Sequence, residues 1–215
     1  MPLFEILLAI IVVILIHELG HAVAAILCGI KVLKLSVGFG PGLTFKKIPL
    51  LNEVKLGLII FGGYTQFDNE MGQRPCWQKE LVYSGGILAN LLSACLFLWL
   101  AGSPLLSSIH HTFSFALSGW PALTELLLSS SYRINDFTDY FVNFLGLAGV
   151  SRLFYLYVAM ISITIAMFNT LPILPLDGGQ IFVTFLEKLF KKPLKYFRMV
   201  YTIFGIIFIF VIIFF

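Results

Sequence analysis

The chain has 215 residues, of which 59% are hydrophobic and 12% are charged, and its formal net charge is +3. Ordinary soluble domains are roughly 45–50% apolar and about 25% charged, so this composition indicates a membrane protein. The positive charges are few and scattered among apolar segments, and we therefore expect no nucleic-acid partner. Cys28, Cys76 and Cys95 show no CxxC spacing, so the sequence indicates neither a disulfide framework nor a zinc site built from cysteines.

Four apolar stretches are long enough to cross a bilayer, for which a helix needs about 20 residues. They cover residues 3–28, 81–101, 153–171 and 200–215. The first stretch lacks a basic start and is longer than the core of a signal peptide, so we predict that it is retained as a helix. The prediction is an all-α polytopic membrane protein with four transmembrane helices, folded as one membrane-embedded domain over residues 1–215.

The distribution of Lys and Arg predicts the orientation of the chain. Seven of these 14 residues lie between the first two stretches and five between the last two, whereas only Arg133 and Arg152 lie between the second and the third. Loops rich in Lys and Arg stay in the cytoplasm. We therefore expect the loop over residues 102–152, and both termini, to be extracytoplasmic.

Residues 31–67, between the first two stretches, show the period-two alternation of a β-strand rather than the period of a helix. Two alternating runs are separated by Pro41-Gly42, a pair that is typical of turns. The segment is too apolar for a solvated hairpin. It predicts a small antiparallel sheet that enters the membrane against the helices, where the protein itself satisfies its backbone.

His17, Glu18 and His21 form the pattern H-E-x-x-H inside the first apolar stretch. Positions i and i+4 lie on one face of a helix, so both imidazoles can bind one metal ion while Glu18 flanks a water molecule. In a soluble helix, an ordinary polar surface would be an equally good interpretation. At membrane depth each charged side chain costs on the order of 2–3 kcal/mol, which favours a functional site.

Catalytic zinc commonly takes three protein ligands and leaves a fourth position open, so a third ligand is expected. Glu5 lies about 18 Å from His17 along the same helix and is too distant. Asp177 follows the third apolar stretch, which Pro172 and Pro175 must end or unwind. Such a break at membrane depth favours Asp177 as the third ligand, and the two glycines after it predict a close turn.

The combination of H-E-x-x-H in a first span with N-T-L-P-I-L-P-L-D-G-G at residues 169–179 resembles the site-2 protease family of intramembrane zinc metalloproteases. The segments VGFG at residues 37–40, FGGY at 61–64 and GILAN at 86–90 resemble the bacterial branch that cleaves anti-sigma factors and signal-peptide remnants. Ile87 stands where the family often has Pro. The loop over residues 102–152 is too short for the PDZ domains that this branch usually carries there.

This resemblance implies one Zn²⁺ ion per site, with Glu18 as the general base and acid. The implied metal ligands are His17, His21 and Asp177, and the implied substrate-binding residues are Asn169, Asn90, Gly62 and Gly63. Capping of freed carbonyls is the alternative role for Asn169, and helix packing is the alternative for Asn90. The implied location is a bacterial inner or plasma membrane, with the active site towards the cytoplasm. The implied partners are proteins with a transmembrane helix that another protease has already cut.

Two other functions are compatible with these residues. The ionisable side chains could line the path of a metal transporter or channel, or the chain could be an inactive family member that acts as a membrane chaperone. A transport path would need polar residues at several depths, whereas here they converge at one. The sheet over residues 31–67 could capture an unwound substrate by strand addition, or it could be scaffolding. The sequence gives no indication of the oligomeric state.

Overall fold

The computed structural model describes residues 2–121, 124, 141 and 153–214. In chain order its elements are α1 (Pro2–Leu27), β1 (Val32–Ile48), β2 (Asn52–Phe67), a 3-10 helix (Asn69–Gln73), α2 (Cys76–Ala101), α3 (Leu105–Ser118), α4 (Leu153–Thr170), α5 (Asp177–Phe190) and α6 (Lys195–Phe214). The architecture is mostly helical with one small antiparallel sheet, as predicted. Most of the predicted extracytoplasmic loop beyond α3 lies outside the described residues.

Three helices in the described part of the chain are long and apolar enough to cross a membrane. They are Phe4–Leu27, Cys76–Ala101 and Leu153–Thr170. These helices identify an integral membrane protein, and they correspond to the first three predicted spans. Helix α6 covers most of the fourth predicted stretch, and its role as a span stays a prediction.

Helices α2 and α6 each begin five residues before the apolar stretch that predicts them. Pro75 precedes the first turn of α2, where the missing N–H of proline leaves no hydrogen bond unmade. The side chain of Lys79, in the second turn, donates to the carbonyl of Gly72 at 2.7 Å. Both first turns include polar or charged residues, so a search for long apolar runs alone misses them.

Helix α2 packs against α1, α4 and α5 and therefore lies at the centre of the helical assembly. Its contact with α1 is close because glycines face each other: a methyl group on Gly20 would lie 2.3 Å from the carbonyl oxygen of Gly85. Its contact with α4 includes a buried hydrogen bond of 2.9 Å between the hydroxyls of Ser93 and Ser162. Small residues and interhelical hydrogen bonds are the usual means of packing helices in a membrane.

Strands β1 and β2 form one long antiparallel hairpin whose pairs run from Val32 with Phe67 to Ile48 with Asn52. The prediction of a turn at Pro41-Gly42 is wrong, because both residues lie within β1 and the connection is at residues 49–51. Gly42 instead pairs with Gly57 where the hairpin bends, and a methyl group on Gly42 would lie 1.9 Å from the carbonyl oxygen of Leu56. The glycine thus permits close contact between strands.

The bend folds the hairpin back on itself. The half that contains the connection between the strands (the far half) lies beside the half where the hairpin begins and ends (its base). Leu35 is paired with Thr65 in one register and with Val54 in another. The base of the hairpin is buried against α1, with Val32 and Leu35 both 0% exposed. This contact sets β2 next to the polar face of α1.

Candidate metal centre

Helix α1 carries three buried ionisable side chains close together. His17, Glu18 and His21 are 8%, 5% and 7% exposed. The two histidines lie one helical turn apart, and their Nε2 atoms are separated by 3.2 Å. The helical spacing predicted from H-E-x-x-H is therefore present, and both imidazoles point to one place.

Asp177 joins this pair from the first turn of α5. Its Oδ2 atom lies 3.1 Å from Nε2 of His17 and 3.3 Å from Nε2 of His21. The two following glycines do not form the expected turn, because both lie within α5. They allow α5 to begin against the preceding loop: a methyl group on Gly178 would lie 2.5 Å from the carbonyl oxygen of Thr170.

The spacing of the three candidate ligand atoms matches that of a zinc site. A tetrahedral site with metal–ligand bonds of about 2.0–2.1 Å has ligand–ligand separations of about 3.3–3.4 Å. The triangle formed by the two Nε2 atoms and Oδ2 has sides of 3.1, 3.2 and 3.3 Å. Oδ2 of Asp177 is buried and makes no other hydrogen bond. Two imidazoles and one carboxylate are also a common donor set for catalytic zinc.

The charge of Asp177 suits a metal ligand. Burial alone would raise the pKa of its carboxyl group, but the adjacent imidazoles of His17 and His21 hold that pKa below its ordinary value. The group is therefore a carboxylate at neutral pH. An anion in this position can partly neutralise a divalent cation.

A cavity of about 630 Å³ opens onto the three ligands and onto Glu18. Its wall includes three of the four predicted substrate-binding residues, namely Gly62, Gly63 and Asn169. The side-chain amide of Asn169 donates to the carbonyl of Ile165 at 3.1 Å, one turn earlier in the same helix. These positions are compatible with substrate contact, which stays a prediction.

Asn90 lies elsewhere. It is 0% exposed, and its amide group is 3.1 Å from Nδ1 of His17, on the far side of the imidazole from the other ligands. It does not line the cavity. In this position it contacts His17, one of the candidate metal ligands, rather than the cavity.

Thr65 is a functional candidate that the sequence reasoning missed. Its hydroxyl donates to Oε2 of Glu18 at 2.7 Å and also lies 3.1 Å from the backbone carbonyl of Glu18. Gly63 lies two residues earlier in β2, where a methyl group would be 2.9 Å from Oε1 of the same carboxylate. Alternate residues of a strand share a face, so Gly63 and Thr65 together form the seat of Glu18.

The comparison with known families covers nearly the whole chain. The model of peptidase family M50 matches residues 5–213. The chain belongs to peptidase family M50. This membership confirms the resemblance to the site-2 proteases, and it agrees with the buried H-E-x-x-H face and the carboxylate beside it.

Several curated proteins resemble parts of this M50 chain. A Chlamydia trachomatis protein, provisionally named a zinc metalloprotease, is 34% identical over 147 residues, which cover 56% of this chain and 23% of that protein. A Treponema pallidum protein with the same provisional name is 35% identical over 127 residues, or 50% of this chain and 28% of that protein. One from Xylella fastidiosa is 34% identical over 101 residues, or 41% and 23%. The match therefore spans less than a third of the length of each of these relatives.

The metal centre predicts the zinc content of the purified chain. Wild-type protein should hold about one zinc per chain, and His17→Ala or Asp177→Ala should lose most of it, since removal of one of three ligands leaves too few donors. Elemental analysis after gel filtration measures this content. His110→Ala, in the exposed part of α3, is the matched control and should retain zinc. Unchanged zinc in Asp177→Ala would rule out the third ligand.

Proposed function

We propose that this chain is an intramembrane zinc metalloprotease that hydrolyses peptide bonds within or near transmembrane helices of membrane proteins. The observation that carries the proposal is the triangle of His17, His21 and Asp177 beside the carboxylate of Glu18, in one cavity. The provisional names of the relatives as zinc metalloproteases support the same activity.

Each group of the site has a separate chemical task. Zinc in a site with three protein ligands lowers the pKa of water towards about 7 and polarises a carbonyl group. Glu18 borders the same cavity without belonging to the ligand triangle, so its carboxylate is available for proton transfer. It accepts a proton from the attacking water and then donates it to the leaving amine. Thr65 holds one oxygen of Glu18, so that the other can face the reacting atoms.

The alternative functions are less well supported. The buried histidine and acidic side chains of the described spans gather at a single level rather than along a path, which does not favour a transporter or channel. An inactive chaperone would have no need for a general base, yet Glu18 is present and hydrogen-bonded by Thr65. Proteolysis uses every group of the site.

The hairpin supports a specific mode of substrate binding. A transmembrane substrate in helical form hides its carbonyl groups in its own hydrogen bonds, so it must unwind before it is cleaved. Residues 63–65 of β2 pair with β1 on one side and line the cavity with the other, and β1 is their only strand partner in the described chain. An extended substrate segment added to this edge would lie directly beside Glu18.

The membrane arrangement belongs to the same proposal. We propose a fourth span in α6, both termini and the loop over residues 102–152 outside, and the metal centre towards the cytoplasm of a bacterial inner or plasma membrane. The distribution of Lys and Arg supports this orientation. The proposed substrates are proteins with a transmembrane helix that another protease has already cut.

Glu18→Gln tests the assignment of the general base. The variant should retain zinc and its fold, while cleavage falls by about 10²–10⁴, the range that general acid–base catalysis contributes. Cleavage of a helical membrane peptide in detergent micelles, followed by mass spectrometry, measures the loss. Glu5→Gln makes the same chemical change near the start of α1 and should cleave like wild type. Turnover near wild type in Glu18→Gln would contradict the protease assignment.

Thr65→Val tests whether the hydroxyl positions Glu18. Valine keeps the shape but removes the donor, and a hydrogen bond to a charged group contributes about 1.5–3 kcal/mol, so kcat should fall by about 10-fold or more. KM and zinc content should change little. Thr65→Ser restores a hydroxyl and should recover most of the activity. Equal losses in the serine and valine variants would show that the hydroxyl is not responsible.

Strand addition predicts which backbone amides of the substrate are needed for cleavage. Successive amides of an extended strand point to opposite sides, so only every second N–H of a bound segment can reach β2. A peptide series with a single N-methyl amide moved along the residues around the cut should therefore lose cleavage with a period of two. The intervening positions are the internal control. Uniform sensitivity, or none, would leave the hairpin as scaffolding.

A further inference from the structure

One face of α2 lies behind both histidines of the metal centre. Val82, Gly86 and Asn90 are spaced four residues apart and so lie along one side of this helix. The backbone carbonyl of Val82 is 2.8 Å from Nδ1 of His21, and the side-chain amide of Asn90 lies 3.1 Å from Nδ1 of His17, with its nitrogen Nδ2 assigned to the nearer end. Each imidazole therefore has its Nδ1 atom against α2 and its Nε2 atom towards Asp177.

Gly86 makes this close arrangement possible. A methyl group there would lie 2.5 Å from Nε2 of His21 and 2.6 Å from Cε1 of His17, and both distances are shorter than a non-bonded contact allows. The two rings thus rest directly on the backbone of α2. Their orientation is set by this helix as well as by α1, which carries them.

The two rings obtain their hydrogen bonds from different kinds of partner. A carbonyl oxygen only accepts, so the Nδ1 atom of His21 must carry a proton, and in the neutral ring its Nε2 atom then has a lone pair for a metal. His17 needs the same tautomer in order to bind metal through Nε2. Its Nδ1–H group then needs an acceptor, and in the described chain Asn90 is the side chain hydrogen-bonded to this atom.

The side-chain oxygen of Asn90 is a hydrogen-bond acceptor without a donor. Its Oδ1 atom is buried and makes no hydrogen bond. The oxygen and nitrogen ends of an amide are similar in size, and a rotation of 180° exchanges them. This rotation places Oδ1 against Nδ1 of His17, gives the buried oxygen a partner and leaves Nε2 of His17 free.

We propose that Asn90 is a positioning residue for the metal centre, with its Oδ1 atom accepting a hydrogen bond from Nδ1–H of His17. This bond fixes the tautomer and the ring orientation that allow Nε2 to bind the metal ion. The inference rests on the proposed zinc function of the site. It assigns Asn90 to the support of the metal rather than to contact with the substrate.

The expected effect is on zinc affinity. Loss of a partner behind a metal-binding histidine commonly weakens metal binding by about 10–100-fold. Asn90→Leu has a similar volume without an acceptor and should show this loss. Asn90→Asp keeps an acceptor oxygen and should bind zinc about as tightly as wild type. Ser162→Ala removes a buried polar group of α4 that bonds to Ser93 of α2, and it should leave the zinc affinity unchanged.

The measurement is competition for zinc between the purified full chain in detergent and a chelator of known affinity. Wild type and His17→Ala belong to the same series, so that failure of the metal centre itself is recognised: zinc binding that does not depend on His17 would contradict the proposed function. Zinc binding that depends on His17 but is unchanged in Asn90→Leu would contradict only the role of Asn90. An equal loss in Asn90→Asp and Asn90→Leu would also overturn it. Asn90→Ala, which lacks the acceptor too, carries the same expectation if the leucine variant does not fold.

Discussion

The rest of this structure depends on one constraint. Three ionisable side chains must meet at one point within an apolar helical assembly. A charged group at membrane depth is stable only if it has partners. Here each group is a partner of the others: the carboxylate of Asp177 lies within 3.3 Å of both imidazole Nε2 atoms. The ligands come from α1 and from the start of α5, so the fold must hold two distant parts of the chain in register. Helix α2, which contacts both, performs this task.

Backbone rather than side chains surrounds much of the metal centre. Gly86 leaves room for both imidazoles, Gly63 leaves room for the carboxylate of Glu18, and Gly178 allows α5 to begin against the preceding loop. A side chain at any of these positions would overlap atoms of the site or of its supports. Because backbone moves less freely than a side chain, this arrangement limits the geometries that the ligands can adopt.

The features that could be predicted from the sequence are those that depend only on residues close together in the chain. The i, i+4 spacing of His17 and His21 requires only a helix, and the break that presents Asp177 is indicated by two nearby prolines. Thr65 and the position of Asn90 could not be predicted, because their contacts join residues 47 and 73 positions apart. No local pattern records which strand residue will lie beside Glu18.

Pro41-Gly42 shows why a strong local signal can mislead. The pair is typical of a turn, but here Gly42 serves a long strand, because it leaves room for the backbone of Leu56 in the paired strand. The hairpin bends there because its far half lies beside its own base, with Leu35 paired on both sides. Only the tertiary arrangement decides between these two uses of glycine.

The segment of β2 that contacts Glu18 also forms part of the cavity wall. Gly63 and Thr65 touch the carboxylate, and the same short segment presents its outer edge to the cavity. Any force on this strand is transmitted to Glu18 through one hydrogen bond and one close contact. A displacement of this strand at the cavity wall would therefore also displace the carboxylate. On the proposed function, a polypeptide that pulls the strand out of register would also misalign Glu18, so a poorly fitting chain would be cleaved more slowly.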